Sequence, residues 1–477
     1  MAYGNQLART IYYRSPVILQ DLACTAYGYQ HRRRYRTPHF WSCYRGLQGN
    51  QWKSTADILT LQWERLTQLL RHAFTYVPYY RQQWTKLGLE PGDIRCLDDF
   101  RKLPLLDKET LRENAGLLFS SAHDKRKCYP VHTSGTTGKQ LTLWVSPEAY
   151  EREYSFRWHH YSWSNTAIGA KVAYLAGHPV VDPDLKNPPF SRRNYAERSL
   201  IFSSQHLSER NLPHYADELQ AFAPDMIEGY PSSLYLLAHC LNAAGIRNIR
   251  PNGIYATSET LFDFQRQTIE RAFGCKVFNW YGNTERAGNI TQCPAGSLHI
   301  QHEHAVTEVL DSAGRPVADG ETGTLTFTGL GNLAFPLIRY AIGDTAVPKR
   351  GGCACGRGGE LIDRIVGRVE DYVVSSDGRY FGRLDHIFKD TEKVREAQIT
   401  QDRVDHLTFR IVTNPGYTGE DTNEILRQAQ ARLGTIFGID IVRVDKIERG
   451  KNGKFRFVVC LLKPEEKPSF APSEIPV

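Results

Sequence analysis

The chain has 477 residues, of which 41% are hydrophobic and 23% charged, and a formal net charge of +7 at pH 7. That length asks for more than one core, and the composition excludes a disordered tail or a fibrous protein. A charge this small for the length gives no ground for a nucleic-acid partner.

No window of about 18 uninterrupted apolar residues offers a transmembrane segment. Met1 to Arg14 lacks the apolar core of a secretory leader, so the reading places the chain in the cytoplasm. Ten cysteines in such a chain read as reduced thiols with room for a metal site, not as a disulfide scaffold. His31, Arg32, Arg33, Arg34 and Arg36 form a basic run among Tyr29, Tyr35 and Phe40. An interfacial or nucleic-acid patch would use that mixture, but a solvated basic face of an N-terminal element is the preferred reading, and no function is placed on it. Leu59, Trp63, Leu66, Leu70 and Ala73 recur at three- and four-residue intervals, predicting a helix with one buried stripe that stops near Val77, because Pro78 follows.

The strongest clue to function is Thr133-Ser134-Gly135-Thr136-Thr137-Gly138-Lys139. Glycines let backbone N–H groups approach an anion, and the hydroxyls add donors and can share a bound Mg²⁺, a composition suited to a polyphosphate. Only Thr136 and Thr137 separate Gly135 from Gly138, so the segment is not the loop of P-loop NTPases. Alone, it equally fits a polar hairpin. Trp158, His159, His160, Tyr161 and Trp163 suit either an aromatic pocket wall or plain core, with His178 and Tyr230 as further pocket candidates.

From Met226 the sequence alternates. Met226 and Ile227 lead to Gly229-Tyr230-Pro231, then a helix carries Leu234, Leu237 and Leu241 to Gly245. Gly253 to Ala256 reads as a strand, Thr257-Ser258-Glu259 as a turn, and the segment around Phe264, Ile269 and Phe273 as a helix stopped by Gly274. A third strand, Lys276 to Trp280, runs into Tyr281-Gly282-Asn283-Thr284-Glu285. The fold class is α/β: a large N-terminal domain with a parallel, doubly wound sheet plus a β-rich subdomain, and a small mobile α+β C-terminal domain. Ligands in such sheets bind beyond the carboxyl ends of the strands, so the three polar turns are expected on one rim.

After Gly296 the sequence turns β-rich, and Pro336 to Asp344 reads as a buried strand ending in Gly343-Asp344, an aspartate able to accept two ribose hydroxyls. Gly367 to Asp371 is a charged junction after a glycine-rich segment. The domain boundary is placed there, giving domains 1–366 and 367–477. Beyond it are expected a helix around Leu384 to Phe388, a strand near Leu407 to Val412, a helix from about Thr422 to Leu433, and a strand from Phe455 to Leu462 after a basic loop, Lys451 to Lys454.

Taken in order, Thr133 to Lys139, Tyr281 to Glu285, Arg339 to Asp344, Gly367 to Asp371 and Gly453-Lys454-Phe455-Arg456 resemble five motifs of the acyl-adenylate-forming superfamily. Pro78-Tyr79-Tyr80-Arg81, Cys293 to His299 and Cys353 to Arg357 are similar to its phenylacetate-CoA ligase branch. The N-terminal segment and Glu396 to Gln401 look like the CapK-like subgroup associated with capsular polysaccharide loci, so the resemblance spans nearly the whole chain. It implies that a small carboxylic acid attacks ATP to give an acyl-adenylate, which passes to a thiol, amine or hydroxyl. Carried over residue by residue, Ser134, Thr136, Thr137 and Lys139 would hold the β/γ-phosphates, with Thr133, Gly135 and Gly138 shaping the loop, and Thr284 would hold the α-phosphate. Glu285 would bind Mg²⁺, Tyr281 and Gly282 would lie at adenine, and Asp344 with Arg368 would hold the ribose. Ser258 and Glu259 complete the rim, Lys454 would stabilise the transition state from the small domain, and Glu370 would be the hinge.

Gln140 stands where the family often has proline, Glu370 replaces an aspartate, and Ser375 to Tyr380 departs from the pattern of CoA-using ligases. The acceptor therefore stays open between CoA, a sugar amine or hydroxyl, and a carrier protein, and a non-catalytic nucleotide-binding scaffold is the remaining class. Cys293, His299, Cys353 and Cys355 make a Cys₃His set suited to tetrahedral Zn²⁺. Their spacing alone equally allows bystander thiols, and the resemblance favours a structural zinc. His302 and His304 are substitute ligands.

Overall fold

The computed structural model describes residues 6–133, 141–208, 210–259, 261, 263–365, 373–377, 379–381, 384–388, 391, 393–447, 457–463 and 466. β1 (Tyr129–Thr133) and β2 (Leu141–Val145) form an antiparallel hairpin in which Thr133 pairs with Leu141. Ser134, Gly135, Thr136, Thr137, Gly138 and Lys139 lie outside the described residues, but the strands on either side hold the two ends of that segment together.

Twelve strands then share one sheet. β3 (Val172–Leu175), β4 (Ser191–Asn194), β5 (Ser199–Phe202), β6 (Met226–Gly229), β7 (Gly253–Thr257) and β8 (Val277–Tyr281) follow the order β8-β7-β6-β3-β5-β4, parallel except for edge strand β4. β9 (Ile290–Gln292) pairs antiparallel with β8, and with β10 (Leu298–Ile300), β11 (Ala305–Leu310), β12 (Gly323–Gly329), β13 (Tyr340–Lys349) and β14 (Leu361–Ile365) it continues the sheet in the order β9-β10-β14-β13-β12-β11. The β-rich part is thus an extension of the parallel half.

Alternation along each strand sends successive side chains to opposite faces. Ile227, Ile254 and Ala256 bury against the helices Leu212–Phe222, Pro231–Ala243 and Asp263–Phe273. Met226, Tyr255 and Phe278 face the other way, onto Tyr35 and Phe40 of the N-terminal helices and Trp158, Tyr161 and Trp163 at the helix Pro147–Ser162. That helix starts where it does because Ser146 accepts a hydrogen bond from the Ala149 N–H and Pro147 fills the first turn. The bulky run from Trp158 to Trp163 is therefore core, each large side chain contributing about 1.5–3 kcal/mol by leaving water, before entropy is counted.

The Thr55–Tyr76 helix stops ahead of Pro78 as expected and packs Leu66, Leu70 and Ala73 beneath the antiparallel strands. Its stripe is rotated from the predicted one. Ile58, Gln62 and Leu69 are buried while Leu59 and Trp63 are half-buried, and Gln62 is tolerated because its amide donates to the carbonyls of His302 and Ala305. The basic run is largely used for packing: Arg34 lies over the Tyr129 ring, Arg36 over Trp158, and Arg32 donates to the Ala196 carbonyl.

The strand predicted to end at Asp344 instead begins at Tyr340 and passes through Gly343-Asp344 to Lys349. Thr326 pairs with Ala341 but Thr324 pairs with Thr345, so Ile342 to Asp344 form a bulge, with Gly343 at φ +90. Extra residues of this kind, three here against Leu325 on the partner strand, re-aim a side chain without ending the strand.

In the C-terminal part, β15 (Val373–Val374) pairs with β16 (Tyr380–Phe381), and β17 (Val394–Arg403), β18 (His406–Thr413), β19 (Gly438–Arg443) and β20 (Val458–Cys460) form a sheet of order β19-β18-β17-β20. The predicted last strand is shorter than the Phe455 to Leu462 expected. The Gly419–Leu433 helix covers this sheet and gives it a core of its own, with Ile399, Leu407, Phe409, Ile425 and Leu433. Polar contacts reach the large domain: Asp184 accepts from the Thr435 N–H at 2.9 Å, and Arg379 donates to the Gln205 carbonyl at 3.2 Å. Arg368, the hinge candidate Glu370, the boundary at 366/367 and Lys454 lie outside the described residues.

Candidate active site

The polar turns after β6, β7 and β8 do share one rim, because these three strands are adjacent and parallel. Tyr230 follows β6, Ser258 and Glu259 follow β7, and Gly282, Thr284 and Glu285 follow β8. Neighbouring strands lie about 4.8 Å apart, so the three turns span roughly 10 Å.

Two hydrogen bonds tie this rim to the β13 bulge. The Tyr281 hydroxyl donates to Asp344 Oδ2 at 2.7 Å, and the Tyr340 hydroxyl donates to Glu285 Oε1 at 3.1 Å. The Tyr281 ring also stacks on Phe327, with centroids 6.2 Å apart. Two stretches 63 residues apart are thus joined by phenol–carboxylate bonds that leave both carboxylates at the surface of the rim. Tyr340 was not singled out in the sequence, where it stands inside an apolar run; its hydroxyl is the signal that could have found it.

The backbone around the rim is held in uncommon conformations. Ser258, Arg286 and Arg339 have φ of 70, 54 and 50, in the left-handed region that side chains disfavour. Such residues gather where a fold positions groups for function. Gly282 is required for another reason: a Cβ there would fall 2.6 Å from the Trp280 indole nitrogen. Asn283 closes the turn by accepting from the Ala287 N–H and donating to the Gly288 carbonyl, at 2.8 and 2.9 Å. Thr284 is exposed at its tip. Arg339, which opens the third of the five resembling segments, is structural: buried at 3%, it makes two bonds to Glu308, at 3.0 and 3.2 Å.

A second constellation lies beyond β9. Cys293 follows β9, His299 lies in β10, and Cys353 and Cys355 lie in the turn between β13 and β14. Their ligand atoms all fall within 4.8 Å of one another, with Cys293 Sγ 3.5 Å from Cys353 Sγ and Cys355 Sγ 3.4 Å from His299 Nε2. Zinc–sulfur bonds of about 2.3 Å put tetrahedral ligands about 3.8 Å apart, so the set fits that ion. Burial pushes the Cys293 thiol up to about 12 and the His299 imidazole down to about 4. Against burial, hydrogen bonds from Ser297 and the neighbouring cysteines hold the Cys353 thiol down to about 7, so one thiolate forms readily here; with the imidazole neutral, the set is suited to a bound cation, which would also favour the thiolate of Cys293. Gly351 and Gly356, at φ +99 and +78, let the Cys353–Cys355 turn close. The substitutes are engaged elsewhere: His302 Nε2 accepts from the Glu360 N–H at 2.8 Å, and His304 pairs with Glu153 at 2.8 Å.

A third group was only half seen in the sequence. His178 and Tyr230 stand just beyond the ends of β3 and β6, where a Cβ on Gly177 would lie 2.9 Å from the Tyr230 hydroxyl. Arg157 and Glu228, not anticipated, form a salt bridge at 2.5 Å behind them. The available signal was Glu228 itself, a charged residue closing an apolar strand.

The chain is also similar to known proteins. The CapK C-terminal domain family model matches residues 373–460. The chain is 25% identical to Protein CapK of Staphylococcus aureus over 462 residues, 95% of this chain and 99% of that one. It is 29% identical to a phenylacetate-coenzyme A ligase of Thermus thermophilus over 334 residues, 66% of this chain and 71% of that one. A solved structure of 2-hydroxyisobutyryl-CoA ligase in complex with 2-HIB-AMP and CoA superposes with a TM-score of 0.58 at 20% identity, covering 90% of this chain and 92% of that one, a likeness of fold. Among the described residues, no helix is long and apolar enough to cross a membrane.

Proposed function

We propose, from the premise that this chain belongs to the adenylate-forming family of CapK and the phenylacetate-CoA ligases, that it activates a carboxylic acid with ATP. A carboxylate oxygen of the acid attacks the α-phosphorus, the bond to the bridging oxygen breaks with its electrons leaving on pyrophosphate, and acyl-AMP results. The acceptor then attacks the acyl carbon and AMP departs. The observation that carries this reading is the Tyr281–Asp344 bond with its companion Tyr340–Glu285, which joins two distant nucleotide motifs on the carboxyl rim of a parallel sheet.

In this reading Tyr281 and Gly282 flank the adenine, Asp344 and Arg368 hold the ribose, and Thr284 donates to the α-phosphate, with Ser258 and Glu259 beside it. Ser134, Thr136, Thr137 and Lys139 hold the outer phosphates, framed by Thr133, Gly135 and Gly138. Glu285 would hold Mg²⁺, which neutralises phosphate charge when bound. Lys454 supplies positive charge where the α-phosphate becomes most negative, and Glu370 is the pivot for the small domain, residues 367–477, that carries it. A lysine suits that task because it is a point charge on a flexible stem. Cys293, His299, Cys353 and Cys355 hold a structural Zn²⁺, since all four positions are protein ligands and none is left for substrate.

CoA is the first acceptor to test. A sugar amine or hydroxyl, or a carrier protein, is the second, favoured by the loop from Ser375 to Arg379. There Asp377 holds Arg379 in a 2.9 Å ion pair and accepts a hydrogen bond from the Ser375 hydroxyl, so the loop's polar groups are turned onto one another. ATP–pyrophosphate exchange against a carboxylic-acid library tests the adenylation without knowledge of the acceptor. Exchange with one or more acids supports the reading, and its absence across a broad panel sinks it.

A further inference from the structure

At the carboxyl ends of β3 and β6 the sheet carries a polar cleft. Tyr174 and Glu228 are register partners on these adjacent strands, so their side chains leave the same face, the one covered by the Pro147–Ser162 helix. From that helix Arg157 donates to Glu228 Oε1 at 2.5 Å and Tyr161 donates to Oε2. The pair is not sealed, for Arg157 is 29% exposed. None of its nitrogens is both buried and unpartnered, so the donors that Glu228 does not take meet the solvent of the cleft.

In front of the pair stands His178, which is exposed to solvent just beyond the end of β3; burial of the ring by its neighbours is the main influence holding its imidazole below the usual range. Its ring meets Tyr174 edge-on at 5.7 Å. Arg286 directly follows Glu285 and, like Arg157, acts electrostatically on Glu153 and Tyr154. Its guanidinium lies 4.8 Å from the centre of the Tyr150 ring, and its Nη1 is buried with no hydrogen-bond partner. Tyr150 in turn packs at 5.0 Å on Tyr154, one turn before Arg157 on the same helix. The cleft therefore abuts the adenylation rim at two points, through Glu228 next to Gly229-Tyr230 and through Arg286 next to Glu285.

We propose that this cleft receives the acyl end of the substrate and selects a small acid carrying a second oxygen function, a hydroxyl, oxo or second carboxylate group that accepts hydrogen bonds from Arg157 and Arg286. The inference rests on the adenylation reading and names its substrate class. A guanidinium only donates, so an acid with a plain alkyl or phenyl end would dry these nitrogens without pairing them. A site built to bond a substrate oxygen rejects the analogue lacking it far more strongly than a hydrophobic pocket rejects a change of size. An unsubstituted phenylacetate is thus a poor fit here.

The test is ATP–pyrophosphate exchange with matched acids: butyrate against 3-hydroxybutyrate, 3-oxobutyrate and succinate, and phenylacetate against 4-hydroxyphenylacetate. At least one oxygenated acid should exceed its parent by about 100-fold or more in kcat/KM, and the arm that responds identifies which oxygen function is used. Replacing the charged pair together, Arg157→Gln with Glu228→Gln, should bring that ratio below about 10-fold while leaving the KM for ATP unchanged. Should that double variant fail to fold, Arg286→Gln reads the same ratio. Parents that exchange as well as their oxygenated partners overturn this inference alone, since their exchange shows adenylation intact. No exchange with any acid overturns the adenylation reading and this one with it. A ratio that survives the variants overturns the assignment to these arginines.

Discussion

The rim beyond β6, β7 and β8 and the cysteine–histidine cluster beyond β9 use similar numbers of polar side chains in opposite ways. On the rim, partners are far apart in sequence, joined by single bonds such as Tyr281–Asp344, and the exposed Thr284 and Ser258 face outward. In the cluster, four ligand atoms converge within 4.8 Å, with Cys293 and His299 buried. A site that must admit and release a substrate stays open and is completed by groups from elsewhere. A site that would close two turns around a permanent ion, the role proposed for the cluster, is complete within itself.

Four measurements would sharpen or break that contrast. Lys454→Ala should have the largest effect, lowering exchange by about 100- to 1,000-fold while ATP still binds; unchanged exchange would remove the lysine from the mechanism. Cys353→Ser acts on the other site: metal analysis should fall from about one zinc per chain to none, and the melting temperature should drop by about 5–10 °C. Exchange at low temperature should change little, so an equal loss of activity and stability would blur the distinction between the sites.

The third concerns pH. His159 and His160, in the packed layer beside the cluster, are each held down to about 3, mainly by burial, from an ordinary 6.5. The folded protein keeps them neutral while the unfolded chain takes up protons as pH falls through 6.5. Stability is therefore complete above that value and declines toward pH 3, by about 1.4 kcal/mol per pH unit for each histidine. Denaturant midpoints between pH 8 and 5 check this, and a profile without that slope would mean that these imidazoles are not buried neutral. The smallest effect belongs to Tyr281→Phe, which removes the bond to Asp344. It should raise the KM for ATP about 2- to 10-fold with little change in kcat, and an unaltered KM would detach that bond from nucleotide binding.

Much of the parallel half was legible because its elements are short and punctuated. Pro231 opens one helix, Gly274 ends another, and the apolar pieces between them leave no other period to choose. The stripe of the Thr55–Tyr76 helix was misjudged because hydrophobicity alone ranks Trp63 above Gln62, whereas hydrogen bonds from another part of the chain allow the amide to be buried. The end of the Pro336 to Asp344 strand was misjudged for a related reason. Gly343 reads as a stop, but a partner strand turns it into a bulge. Of the site, most residues in motifs were visible, whereas Tyr340 inside one motif and Arg157 and Arg286 between motifs were not. Tyr340, Arg157 and Arg286 acquire meaning only from what they touch.

By itself the amino-acid sequence determined the alternation of strand and helix, the polar turns that end the parallel strands, and the inventory of cysteines, histidines and phosphate-binding residue types. These follow from local preferences and periodicity, which a chain carries wherever it folds. Only the tertiary structure decided that Asp344 meets Tyr281, that four ligands spread from Cys293 to Cys355 converge, and that Glu228 is paired with an Arg157 that solvent still reaches. Those outcomes depend on register and on packing between distant strands, which no local pattern encodes.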